Sequence, residues 1–455
     1  MGKDLRQALK VLEDHGRLKT VSAPVDRVFE VAGILRRVEG GPAVLFTDVT
    51  GSPYPLLGGL TDSREKIALV LGTSARELLP FTVRALQNPV APVLVEKAPC
   101  QEIVELEPDL STLPIPTLSE LDGGPYLTGG LHLSHNPENG IRNASMHRNQ
   151  LKGRDVLGIW MAPTHLFHHY LAAERRGQAL PVAIAIGVHP ALLVASQLRL
   201  PFDVDELTYA GALLGEPVEM VPCRTIPVEV PAQAEFVLEC EILPGVKEPE
   251  GPFGEFAGLY GAVRDSWVMR VKAVTHRADA IYHNVMCGMS VENPVLGAVG
   301  REPSLYQALK AAVPTVRDVH MPVAGGRGNF DAIVSIKKVM EGEPQKAGFA
   351  AFAAQDLLKF VVVVDDDVDI YNLNEVEYAI CTRMRADQDI HIIRGVKTVA
   401  LDPMGDEYAP SRSTVAKMII DATRPFGQKP EALYQADVPE SVKEMVNKKW
   451  KVYGL

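Results

Sequence analysis

Glu250-Gly-Pro-Phe-Gly-Glu255 sets two carboxylates at either end of a Gly-Pro-Phe-Gly bend, between segments 234–243 and 266–275 that both read as strands. Gly251 and Gly254 permit backbone angles and close approaches that a side chain obstructs, while Pro252 fixes φ and removes an amide donor. The bend is therefore specified by its residues. Acids held in this way can be driven to different pKa values, one ionised against a cation and one kept ready to give a proton. By itself the stretch reads equally well as a surface turn with solvated acids.

Working outward, strand and turn signals dominate from about 115 to 300. Segments 127–134, 182–188 and 218–221 join the two above, with a turn at Asn136-Pro-Glu-Asn-Gly140. Many strands at short spacing predict a β-barrel or closed sheet. One helix interrupts them at 164–176, capped by Thr164 and stopped by Gly177, and an apolar helix at 209–214 precedes Gly215-Glu216. Upstream, helices at 4–15, 63–72 and 74–87 with a strand at 43–46 read as a small α/β unit. The passage Leu113-Pro-Ile-Pro-Thr-Leu118 reads as a linker, because X-Pro steps favour extended chain.

After 300 helix and buried strand alternate: helix 303–313, strand 332–336, helix 345–358 and strand 360–364, a second α/β pattern. Asp437-Val-Pro-Glu440 resembles a capping box opening a last helix with Val442, Met445, Val446 and Trp450 on one stripe. Such a helix docks on its own domain or on another subunit.

The 455 residues exceed one ordinary core and imply two or three domains. A formal net charge of -11 argues against nucleic acid or an anionic membrane as the main partner and leaves a small ligand. Five scattered cysteines without a CxxC pair indicate neither a disulfide framework nor a zinc ribbon, and fit a reducing cytoplasm. With no apolar signal region at the start and no apolar run of membrane length, the expectation is a soluble cytoplasmic protein.

Other residues are candidates for chemistry. On strand geometry Asn143 and Arg148, in Asn143-Ala-Ser-Met-His-Arg148, face opposite ways unless a bend intervenes. His165 opens a helix whose first-turn N–H groups favour a phosphate, whereas His168 and His169 read as ordinary polar positions, and no HExxH zinc pattern is present. Asn143, His165 and Glu216 form a mixed O/N donor set suited to Mn²⁺ or Mg²⁺, if anything brings them together. Ala324-Gly-Gly-Arg-Gly-Asn329 lacks the dinucleotide fingerprint and reads as a turn before a strand; Asp365 to Asp369 read as a charged loop.

In order and spacing, Asn143 to Arg148, Thr164-His165, Leu214-Gly-Glu216, Glu250 to Glu255 and Ser411-Arg-Ser413 with Lys417 resemble the UbiD family of decarboxylases. The likeness runs from the N-terminal helix to the closing Lys449-Trp-Lys-Val-Tyr-Gly454. It implies an α/β chain of three parts: an N-terminal α/β region (1–112), a central split β-barrel flavin-binding domain (113–300) and a C-terminal α/β oligomerisation domain (301–455). The implied cofactor is prenylated FMN, bound by Asn143, Ser145, Met146, Arg148, Thr164, His165, Glu216 and Lys417. Asn143, His165 and Glu216 match the ligands of a divalent ion, Mn²⁺ or Mg²⁺, that clamps the cofactor phosphate beside K⁺. Arg148, Glu250 and Glu255 match the catalytic network over the flavin.

The resemblance implies reversible decarboxylation of an aromatic or heteroaromatic acid, furan or pyrrole type, through a covalent adduct, with Glu255 as proton donor. A phenolic or polyprenyl-hydroxybenzoate decarboxylase and a non-catalytic flavin-binding subunit of a carboxylase complex are the alternatives. The intact acid-arginine-acid set speaks against the last. The implied partners are the acid and CO₂, a flavin prenyltransferase as cofactor supplier, and further copies of the chain in a homodimer or homohexamer. Met286 to Pro294 is expected to border the pocket. Arg301 either grips a second carboxylate or lies at the surface.

Overall fold

The computed structural model describes residues 3–399, 401–405, 413–427 and 436–454. Its centre is a nine-stranded sheet in the order Tyr126–Leu127, Asn149–Leu151, Val156–Ile159, Arg264–His276, Phe236–Glu250, Leu180–Ile186, Gly130–His135, Arg142–Met146, with Ile103–Glu105 added beside Arg264–His276. Every pairing is antiparallel. Strand Leu180–Ile186 shows why the sheet needs cover on both sides. Val182, Ile184 and Ile186 join one apolar cluster, while Ala183 and Ala185 join another with the helices Pro190–Ala195 and Leu207–Leu214.

This sheet rolls into a split barrel. Strand Arg142–Met146 is the last on the path and Asn149–Leu151 is second from the other end, yet only His147 and Arg148 separate them in sequence. Three Cα steps span at most about 11 Å, so the two ends must meet. A hydrogen bond from His132 Nε2 to Asn149 Oδ1 at 2.8 Å crosses the join. The bend needed to aim Asn143 and Arg148 at one space is this crossing.

The N-terminal sheet has the order Leu18–Val21, Ala43–Phe46, Leu56–Gly58, Tyr282–His283, so its fourth strand comes from the far end of the barrel segment. The C-terminal sheet runs Val316–His320, Asp331–Ile336, Phe360–Asp365, Thr414–Ala422, Ile390–Lys397, parallel in the middle and antiparallel at both edges.

Several expectations are corrected. Leu113 to Leu118 is buried throughout, because its apolar side chains Leu113, Ile115 and Leu118 fill the core between barrel and N-terminal unit, and it is no linker. Strands Val93–Leu94 and Ile103–Glu105, on the N-terminal side of the boundary expected at 112, pair with strands of the central part. The helix expected from 303 begins at Glu292 and runs to Ala312 with Pro303 inside it. The closing helix Glu440–Tyr453 starts after Pro439 with no side-chain cap; Asp437 instead pairs with Lys443. Thr164 stands at the N-cap of His165–Glu174 but makes no capping bond. Asp365 and Asp367 pair with Arg383, and Asp367 also with Arg424, as a charged loop should.

Candidate active site

Glu250 is the last residue of strand Phe236–Glu250, and the bend after it is pinned from three sides. Asp122 Oδ1 accepts the Gly254 N–H at 2.8 Å, Gly123 N–H donates to the Pro252 carbonyl at 2.8 Å, and Gly288 N–H donates to the Gly254 carbonyl at 3.0 Å. Gly251, at φ 104°, needs to be glycine, and its peptide bond to Pro252 is cis. The bend holds Glu250 and Glu255 on either side of Arg148. Arg148 Nε and Nη2 donate to the two oxygens of Glu250, both at 2.9 Å, and Nη1 donates to Glu255 Oε1. The guanidinium also lies over the Phe253 ring, 4.9 Å from its centroid, and over Trp160 at 5.3 Å.

These contacts make the two acids unequal. Burial works against the Arg148 charge, but Glu255 and Glu250 outweigh it and hold the guanidinium firmly ionised. Glu250 gives both oxygens to that fork. Glu255 gives one, and burial pushes its carboxyl above the ordinary range against the pull of Arg148, with Glu250 adding to the rise.

Glu255 and Arg148 open into a cavity of about 750 Å³, inside the usual range of roughly 300–1,000 Å³ for ligand sites. Its walls include Asn143, Ser145 and Met146 of the last barrel strand, Thr164 and His165 at the start of helix His165–Glu174, Glu206, and Asp356 from the C-terminal unit.

Glu216 is not among them. It follows the C-terminus of helix Leu207–Leu214 and accepts the Lys3 backbone N–H at 3.0 Å, away from the cavity. The carboxylate that meets Asn143 and His165 is Glu206, at the other end of the same helix. Its Oε1 lies 3.4 Å from His165 Nδ1 and its Oε2 accepts the Ala144 N–H at 2.8 Å. Eight helical residues separate the two acids by about 12 Å, too far for either to substitute for the other. Among the described residues no three His, Cys, Asp or Glu side chains form a metal-ligand cluster; the set here is Asn143, His165 and Glu206, with an amide as third donor.

Lys417 is buried on strand Thr414–Ala422 and donates to the Asp356 carbonyl at 2.7 Å, one residue back from the wall; burial lowers its pKa. Ser411 and Arg412 lie outside the described residues. His168, read as an ordinary polar position, lines the cavity with its ring against Phe202. Of Met286 to Pro294, Cys287 and Asn293 reach the cavity, whereas Met289 is exposed.

Arg301 also reaches it, from the middle of helix Glu292–Ala312 and not from a helix start at the surface. Its Nη1 donates to Asn329 Oδ1 at 2.5 Å, its buried Nε has no partner, and burial, with nearby Arg199 adding, lowers its pKa to about 9. Arg199 lines the same wall but is exposed. Among the described residues neither makes an ion pair. Arg199 carried no sequence signal: a single Arg in Leu198-Arg-Leu200 looks like a surface position.

Three family descriptions tile the chain: the 3-octaprenyl-4-hydroxybenzoate carboxy-lyase N-terminal domain at 9–86, its Rift-related domain at 93–290 and its C-terminal domain at 294–422. The protein belongs to the UbiD family. It is an enzyme, a decarboxylase of that class. The UbiD-class enzyme HmfF from Pelotomaculum thermopropionicum, solved in complex with FMN, is 41% identical with a TM-score of 0.92, covering 97% of this chain and 98% of that one. The 3,4-dihydroxybenzoic acid decarboxylase AroY of Klebsiella pneumoniae is 34% identical at a TM-score of 0.88, with 96% and 97% covered. Anhydromevalonate phosphate decarboxylase of Methanothermobacter thermautotrophicus is 39% identical over 89% of this chain and 94% of its own. These UbiD-class relatives act on acids of different chemistry, so family membership leaves the substrate to the cavity wall. Among the described residues no helix is long and apolar enough to cross a membrane.

Proposed function

We propose that the enzyme catalyses the reversible non-oxidative decarboxylation of a small aromatic or heteroaromatic acid, of furan or pyrrole type, that carries a second anionic group. The observation that carries this reading is the Glu250–Arg148–Glu255 arrangement at the cavity, with one acid tied to the arginine by both oxygens and the other by one.

The cavity fits prenylated FMN, the cofactor of the solved relative HmfF in an evolved dimeric form. Asn143, His165 and Glu206 supply O and N donors of the kind a hard divalent ion such as Mn²⁺ or Mg²⁺ takes, which would hold the cofactor phosphate with K⁺ beside it. Thr164 and His165, at the start of helix His165–Glu174 whose first-turn N–H groups favour an anion, line the same cavity. Ser145, Met146 and Thr164 would line the bound flavin, and Lys417 would reach the phosphate by a small shift from Asp356. When bound, prenylated FMN supplies the electron sink that loss of CO₂ requires.

The chain's own groups do the rest. Arg148 and Glu250 form a fixed charged pair that orients Glu255 by its Oε1. Burial raises the Glu255 carboxyl above the ordinary range and so favours the protonated form. As the bond to the carboxylate carbon breaks and CO₂ departs, Glu255 delivers its proton to the carbon left behind, and in carboxylation it removes that proton. Arg199 and Arg301 line one wall and, among the described residues, make no ion pair, so a second anionic group on the substrate would complete them. A phosphate serves as well as a carboxylate here, which makes a phosphorylated unsaturated acid the second reading, favoured by the relatives named anhydromevalonate phosphate decarboxylase.

Glu255→Gln tests the first claim. The variant is expected to take up flavin from cells making prenylated FMN, with unchanged visible spectrum, and to lose both decarboxylation and H/D exchange into product by about 10²–10⁴-fold. Wild-type turnover in that variant would overturn the assignment.

A further inference from the structure

The Gly325-Gly-Arg-Gly-Asn329 turn, of which the site described above uses only Asn329 as the partner of Arg301, joins strands Val316–His320 and Asp331–Ile336 of the C-terminal sheet. Its Arg327 has φ 54°, a left-handed conformation uncommon outside glycine, and Gly328 follows at φ 65°. A side chain at Gly328 would collide with the Pro294 carbonyl at the start of helix Glu292–Ala312, so the turn is seated against that helix.

This conformation throws the Arg327 side chain across to the barrel. Its Nε donates to the Phe256 carbonyl at 2.9 Å, and its Nη2 to the Gly288 carbonyl at 2.7 Å and the Ser290 carbonyl at 2.6 Å; Nη1 reaches the Met289 carbonyl at 3.3 Å. Phe256 follows Glu255 directly, and its ring lies 5.3 Å from that of Phe330. Residues 288–290 follow Cys287 of the cavity wall, and Gly288 N–H already holds the Gly254 carbonyl. One guanidinium therefore ties together the two stretches on which Glu255 and Cys287 sit. Two residues on, Asn329 Oδ1 accepts from Arg301, and Asn329 Nδ2 donates at 3.1 Å to the Arg327 carbonyl.

We propose that this turn is a positioning latch with two arms: Arg327 sets Glu255 through the Phe256 carbonyl, and Asn329 sets the Arg301 guanidinium that meets the substrate's second anionic group. Neither residue touches substrate. An arginine suits the first arm because its planar fork carries five donors in fixed directions and stays charged, so several carbonyls from separate segments are met at once. The latch makes a prediction that general loss of stability does not. The two arms act on different steps, Arg327 on proton delivery and Asn329 on binding. The inference rests on the reading of Glu255 and Arg301 given above.

The experiment compares wild type, Glu255→Gln, Arg327→Ala, Arg327→Lys and Asn329→Ala, all loaded with prenylated FMN. Readouts are decarboxylation of furan-2,5-dicarboxylate and furan-2-carboxylate, and peptide amide hydrogen exchange. Arg327→Ala is expected to keep its flavin, to lose between about tenfold and 10²-fold in kcat with little change in KM, and to show faster amide exchange at 254–258 and 288–291 but not at 143–146. Arg327→Lys should recover part of the loss. Asn329→Ala should raise KM for the dicarboxylate several-fold more than KM for the monocarboxylate. Wild-type kcat and wild-type amide exchange in Arg327→Ala, beside an inactive Glu255→Gln, would overturn the latch and leave the proposed function standing. A fully active Glu255→Gln would instead overturn the function. If Arg327→Ala does not fold, the lysine and Asn329 variants carry the test: wild-type kcat in the first and wild-type KM in the second overturn the proposal.

Discussion

Glu206 Oε1 lies 3.4 Å from His165 Nδ1, while Glu216, at the opposite end of the same helix, is bound to the chain's N-terminal backbone. The helix Leu207–Leu214 thus presents one acid to the cavity and turns the other away. Glu206→Gln should lower retention of Mn²⁺, and with it flavin content, by at least about tenfold, whereas Glu216→Gln should leave both near wild type. Metal analysis of the purified variants decides between the two acids, with a magnitude drawn from ligand-shell substitutions in other metal sites.

Arg199, exposed, and Arg301, half-buried, lie on one wall with no ion pair among the described residues. Arg301→Ala or Arg199→Ala should raise KM for a dicarboxylate or a phosphorylated acid by about tenfold or more, since a charge-assisted bond contributes about 1.5–3 kcal/mol. The KM of a monocarboxylate should hardly move. Steady-state kinetics on matched mono- and dianionic acids measures this, and equal effects on both would remove the second anion from the proposal.

Glu292 is wholly buried and accepts the backbone N–H groups of Thr61 and Met286 at 3.0 and 2.9 Å, tying the N-terminal unit to the segment that carries Cys287. Burial, with Asp62 adding, raises its pKa to about 7. The folded protein therefore binds this proton more tightly than the unfolded chain does. Its stabilising effect is fully present below the unfolded value of about 4.3 and is lost as pH rises through about 7, at up to about 1.4 kcal/mol per pH unit within that window. Glu292→Gln should flatten the fall of Tm between pH 5 and pH 7 relative to wild type, as followed by thermal denaturation.

The closing helix Glu440–Tyr453 has no buried residue, although Met445, Trp450 and Tyr453 lie along one apolar side. A partner subunit is the expected cover, in keeping with a homodimer or homohexamer. Deleting the chain from Asp437 onward should shift the mass in light scattering toward the monomer and leave the flavin spectrum of the remaining enzyme unchanged.

Much of the fold was legible because buried strands are apolar runs that end at turns. The strands read around 182–188, 234–243 and 266–275 from apolar runs bounded by turn signals appear as Leu180–Ile186, Phe236–Glu250 and Arg264–His276. The same logic failed at Leu113 to Leu118, where proline signals were read as a linker although every residue is buried. Proline marks extended backbone but says nothing about what packs over it. Of the site, Arg148, Glu250, Glu255, Asn143 and His165 were visible, since motif spacing preserved them. Arg199, Asp122 and the Arg327 contacts were not, because each acts through neighbours remote in sequence.

By itself the sequence determined the long central strands and several helices, the stiff Glu250-to-Glu255 bend and the family to which the chain belongs, all of which depend on local residue order. Only the tertiary structure decided which of two helix-flanking acids joins His165, that Arg148 stands between Glu250 and Glu255, and that Arg301 faces a cavity. Those outcomes depend on the closing of the barrel. Two residues, His147 and Arg148, carry the chain from one end of the sheet to the strand next to its other end and so bring into one space side chains that local sequence holds apart.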